Sequence, residues 1–125
     1  MKRTLASIAA FFAVLALAAQ PSLAGRWEGR ISQEGTADTF YYQLVIEQKG
    51  DLLTGHSTSR SANDAAEARF QFSGSWDGQE CLVQELKQLS PSNPWCLKYA
   101  RLRLRQSAGM DYLEGDWKAD GCTPG

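Results

Sequence analysis

The sequence predicts an all-β protein: an antiparallel up-and-down meander of about seven strands forming a small barrel, complete or one strand short. Beyond Gly25 no stretch of ten or more residues keeps a 3.6-residue apolar period, whereas apolar and polar residues alternate repeatedly. Tight glycine turns alternate with longer polar connections, as a meander requires. Separate turns, each used alone to align its flanking strands, also bring the same apolar set to one face.

The first 24 residues read as an export leader. Lys2 and Arg3 give a positive start, Ile8 to Ala19 are twelve consecutive apolar residues, and Ser22-Leu23-Ala24 offers small residues where a signal peptidase reads them. Twelve residues are too few to span a bilayer, so stable membrane insertion is not expected. No Cys follows the run to carry a lipid anchor. Removing 24 of 125 residues leaves about 101, a single β-barrel domain over residues 25–125, expected to be secreted or periplasmic. With 43% hydrophobic and 22% charged residues it has the composition of a globular domain. Without Lys2 and Arg3, 11 basic residues face 14 acidic ones, a balance of −3 that argues against nucleic acid as a partner.

Strands are predicted at about 26–33, 39–48, 52–60, 68–76, 80–88, 97–106 and 111–118. Lys49-Gly50, Asp77-Gly78 and Ala108-Gly109 read as the tight turns. Glu34 to Asp38, Ser61 to Glu67 and Leu89 to Trp95 read as the long connections, the last barred from regular structure by Pro91 and Pro94. One end of the sheet is therefore closed by short turns and the other carries the long loops.

Centring a hairpin on Asp77-Gly78 pairs Phe72 with Val83, Gly74 with Cys81 and Phe70 with Glu85. The proline-containing connection then pairs Glu85 with Lys98 and Val83 with Ala100. Ala108-Gly109 pairs Leu104 with Leu113, Leu102 with Gly115 and Ala100 with Trp117. The resulting inner face holds Phe70, Phe72, Trp76, Val83, Ala100, Leu102, Leu104, Leu113 and Trp117. The turn at Lys49-Gly50 adds Tyr42, Leu44, Ile46, Leu53 and Gly55, and alternation from Trp27 adds Ile31. On the outer face, Arg101, Arg103 and Arg105 form a stripe, but the register sets Asp116 against Arg101 and Glu114 against Arg103, an ordinary surface ladder.

Three cysteines leave at least one unpaired within the chain. The register places Cys81 opposite Leu102, roughly 20 Å along the strand from Cys96, too far to bridge. Cys96 falls opposite Gly121, so a Cys96–Cys122 disulfide is expected, with Cys81 a buried thiol. No Cys-x-x-Cys pair or His cluster suggests a metal, and no phosphate-cradling glycine loop suggests a nucleotide; no cofactor is expected. The single histidine, His56, falls on the outer face with no nucleophile motif beside it, and an enzyme is not expected. Glu85 and Lys98 are the one inward polar pair, either a structural ion pair or the polar anchor of a pocket.

Gly25-Arg26-Trp27-Glu28-Gly29, Gly74-Ser75-Trp76-Asp77-Gly78 and Gly115-Asp116-Trp117 share a Gly-x-Trp core. With Gly-x-Trp in the first strand and Gly55, Gly74 and Gly115 in later ones, the chain from Gly25 to Lys118 resembles the lipocalin-like and avidin-like barrels of the calycin group. Trp95-Cys96-Leu97-Lys98 and Cys122-Thr123-Pro124-Gly125 also look like small exported bacterial proteins of unknown function, in which a closing strand follows the Pro-Gly. The resemblance implies a barrel with Trp27 plugging its closed end; no ligand contact or vitamin-binding motif carries over. It also implies an eighth strand, which this chain, ending at Gly125, does not supply.

Together these features lead to the expectation of a noncatalytic exported barrel binding a small or amphipathic ligand at its open end, lined by Tyr42, Ser57, Phe70, Glu85, Lys98 and Trp117. The other reading is a secreted protein-binding factor, such as a hydrolase inhibitor, acting through the 89–95 loop with Trp95 as its exposed anchor.

Overall fold

The computed structural model describes residues 22–32, 39–61 and 66–119, together with the backbone of residues 3–4. A two-residue strand, β1 (Arg3–Thr4), precedes seven long ones: β2 (Gly25–Ser32), β3 (Thr39–Lys49), β4 (Leu52–Ser61), β5 (Glu67–Trp76), β6 (Glu80–Ser90), β7 (Lys98–Ser107) and β8 (Met110–Ala119). The long strands pair antiparallel in sequence order as a strongly curled, open half-barrel, with no helix among the described residues. An odd number of meandering strands leaves β2 and β8 running the same way. Between these edges β1 pairs in parallel with both, bridging the seam over two residues.

Two turn centres differ from the sequence expectation by one residue. Lys49 faces Leu52, so Gly50 and Asp51 form the turn, with Gly50 at a φ of 64°. Trp76 faces Cys81, and Gly78 and Gln79 form the next turn, with Gly78 at 95°. In both, glycine takes the first central position instead of the second, the arrangement of a type II′ turn. The Asp77 carboxylate accepts the N–H groups of Gln79 and Glu80 at 2.8 and 2.7 Å, which secures the turn and lowers the carboxyl's pKa. The third turn stands where expected: Ala108 and Gly109 both have positive φ, 52° and 79°, as a type I′ turn requires.

Moving a turn centre by one residue slides the register by two, and side chains alternate with that same period, so every residue stays on its expected face. The pairings themselves change. Phe72 faces Glu85 and Gly74 faces Val83, in place of the expected Phe72–Val83 and Gly74–Cys81. Phe70 faces Gln88, not Glu85: the moved turn accounts for two residues of this shift and a β6 bulge at Leu86 for the third, and a second bulge, at Leu89, follows between Phe70 and Arg69. Cys81 opposite Leu102, Val83 opposite Ala100, Leu104 opposite Leu113 and Ala100 opposite Trp117 hold as expected.

The inner face is the core. Trp27, Tyr42, Leu44, Ile46, Leu53, Phe72, Trp76, Cys81, Val83, Ala100, Leu102 and Leu113 are buried together, with Ile31, Leu104 and Trp117 packed against them. Leu23, assigned from sequence to the leader, is also a fully buried member. Gly74 lets strands approach closely: a Cβ there would lie 1.9 Å from the Leu82 carbonyl oxygen. On the outer face Arg101 and Arg103 stand opposite Asp116 and Glu114; Arg101 also pairs with Glu80 at 3.8 Å, and Arg105 pairs with Glu114.

Candidate functional site

Large aromatics fill the tight-turn end of the barrel, where Trp27, Trp76 and Phe72 are buried. Toward the long-loop end the inner face of β4 and β5 turns to small side chains: Ser57, Ser59 and Ala68, all buried. The change is visible as Ser57-Thr58-Ser59 in β4, where alternation sends both serines inward. Ser59 lies between Tyr42 on β3 and Ala68 on β5, and Ser57 between Leu44 and Phe70.

Five of the six residues expected to line a pocket meet here. The Glu85 carboxylate accepts at Oε2 from the Tyr42 hydroxyl at 2.8 Å and from Ser57 Oγ at 2.6 Å. At Oε1 it accepts the Lys98 backbone N–H at 2.8 Å and faces Lys98 Nζ at 3.1 Å. Four donors fill the lone-pair sites of a carboxylate. Lys98 Nζ also lies 4.3 Å from the centroid of Phe70 and 3.5 Å from the Cys96 carbonyl oxygen. Burial lowers the Lys98 pKa, an effect partly offset by the attraction of Glu85. The Tyr42 hydroxyl is pushed well up, first by burial and then by the neighbouring Glu85 charge. Between Tyr42 and Ala68, the buried Ser59 Oγ has no hydrogen-bond partner among the described residues.

Trp117, the sixth residue, sits apart. It is half-buried at the seam, and its Nε1 donates to the Ser32 carbonyl at 2.9 Å, linking β8 to β2. Trp95 also departs from expectation: it is half-buried instead of exposed, and its backbone N–H donates to Gln88 Oε1 at 2.7 Å. Gln88 Nε2 donates to the Pro91 and Asn93 carbonyls at 2.7 and 2.9 Å, so one side chain clamps the proline loop at three points. Sequence reasoning missed Gln88, since nothing local distinguishes it from any other strand glutamine. The exposed apolar groups near this loop are Leu86, Leu89 and Leu97, at 50%, 52% and 38% exposure. Leu86 and Leu89 are the two bulge residues, which explains why alternation did not single them out.

Cys81 is a buried free thiol whose pKa is pushed up to about 12 by burial. Cys122 lies outside the described residues. Among the described residues no group of three His, Cys, Asp or Glu side chains is placed to hold a metal ion. No protein family, curated protein or solved structure matches this chain.

Proposed function

We propose that this protein is an exported, noncatalytic barrel that holds a small uncharged amphipathic molecule at its long-loop end. The observation that carries the reading is the buried Ser59 hydroxyl, which has no hydrogen-bond partner among the described residues and sits with small side chains beside a compensated ion pair. An unsatisfied buried hydroxyl costs about 1–3 kcal/mol, which a ligand's polar group would recover. Glu85 already neutralises Lys98, so an anionic ligand would add uncompensated charge to a dry site, whereas a neutral head group would not. General acid or base chemistry is disfavoured because all four acceptor sites of Glu85 are occupied. Phe70, Ala68 and Tyr42 supply the apolar surroundings of the two serines. A Cys96–Cys122 disulfide belongs to the same reading, tying the chain end beside the proline loop in an oxidising compartment.

Native mass spectrometry of the protein purified from its own host tests this directly. The expected spectrum carries one neutral small molecule that is released on activation and is lost in Ser59→Val. A bare polypeptide mass would overturn the proposal.

A second reading rests on the exposed Leu86, Leu89 and Leu97, which make an apolar rim beside the clamped loop. It treats the molecule as a secreted protein-binding factor, such as a hydrolase inhibitor, with these leucines and not Trp95 as anchors. Unchanged ligand retention in Leu86→Ser/Leu89→Ser would separate the two surfaces.

A further inference from the structure

Ser22-Leu23-Ala24, the segment that reads as a peptidase site, is built into the folded domain. Leu23 is fully buried in the core. Its N–H donates to Gln48 Oε1 at 2.7 Å, and its carbonyl accepts the Trp27 indole N–H at 2.8 Å. Gln48 Nε2 in turn donates to the Gly50 carbonyl at 2.8 Å, tying this segment to the β3–β4 turn. Ala24 N–H donates to Ser22 Oγ at 3.1 Å, which folds the three residues over the closed end of the barrel. Cleavage between Ala24 and Gly25 would delete this plug from above Trp27.

Upstream lies a second small-x-small pattern, Ala16-Leu17-Ala18, at the end of the apolar run. A cut there leaves an apolar segment from Ile8 to Ala18, a length suited to a leader. Both cuts remove Arg3–Thr4, so β1 does not distinguish them. We infer that export processing hydrolyses the Ala18–Ala19 peptide bond, so that the mature protein retains Leu23 as the plug of its closed end. Water adds across the amide, leaving a carboxylate on Ala18 and an ammonium on Ala19. The inference rests on the export reading above.

The test is expression of the full 125-residue precursor in an exporting bacterial host, with intact mass and N-terminal sequencing of the product. A product starting at Ala19 is expected, its start unchanged by Ala24→Phe at an exposed position and shifted or blocked by Ala18→Phe. A product starting at Gly25 overturns the inference while leaving export intact; an unprocessed cytoplasmic chain overturns both. Leu23→Ser supplies an independent readout. If Leu23 is retained, the exported variant unfolds roughly 10 °C below the wild type. Identical Tm values would mean that the residue had been removed, and would overturn the inference.

Discussion

Lys98 approaches Glu85 twice through one carboxylate oxygen, once from its backbone N–H at 2.8 Å and once from its ammonium at 3.1 Å. The two residues therefore contribute unequally. Removing Glu85 strands a buried ammonium and takes the acceptor from Tyr42 and Ser57, whereas removing the ammonium leaves the carboxylate with three donors. Glu85→Leu is expected to cost about 3–5 kcal/mol and Lys98→Met clearly less. Urea denaturation of both variants checks this, and equal losses would contradict the inequality.

Gly74→Ala is expected to destabilise by about 1–3 kcal/mol, because the new methyl group meets backbone and not a movable side chain. The Leu82 carbonyl can retreat only by distorting the β5–β6 ladder. In a domain of this size the Tm should fall by roughly 4–8 °C per kcal/mol. A Tm within a degree of the wild type would show that the strands are not held this closely.

Alkali should expose the cost of ionising Cys81. Its thiol stays protonated in the folded chain up to about pH 12 but loses its proton near 9 once unfolded. Its contribution is fully present below pH 9 and is lost as the pH rises from 9 to about 12. Tyr42, raised by burial, acts in the same direction above pH 10; Lys98, lowered by burial, acts oppositely as the pH rises toward 10.5. Cys81→Val isolates the thiol, so denaturation from pH 8 to 11 should show a shallower decline than in the wild type. Parallel declines would rule Cys81 out as the cause.

Peptide mapping without reduction should recover Cys96 linked to Cys122, with Cys81 alkylated only after unfolding. Reducing that link should cost roughly 3 kcal/mol on the chain-entropy account. A peptide joining Cys81 to either partner would contradict both the burial of the thiol and the strand register.

Gln88→Ala should loosen the 91–95 loop while leaving the barrel intact, since its three bonds serve the loop and not the core. Limited proteolysis is expected to gain a cut between Pro91 and Trp95, with the global Tm lowered by only a few degrees. An uncut loop would show that other contacts suffice to hold it.

Sidedness was legible in the residue pattern alone. Trp27, Leu44, Phe72, Val83 and Leu113 were assignable to the interior because strand parity has period two, and the errors at Gly50 and Gly78 slid the register by that same period. Glu85 beside Lys98 was legible for the same reason, as the β6–β7 register was correct. Other features depend on how the strands fit together. The bulges at Leu86 and Leu89 depend on how β6 fits β5, and no local alternation records an extra residue in one strand. The Trp117–Ser32 bond joins residues 85 positions apart across a seam that exists only once the sheet has curled. Leu23 reads locally as one more leader residue; its burial comes from the shape of the closed end, where the curvature of seven strands leaves Trp27 a space to be covered.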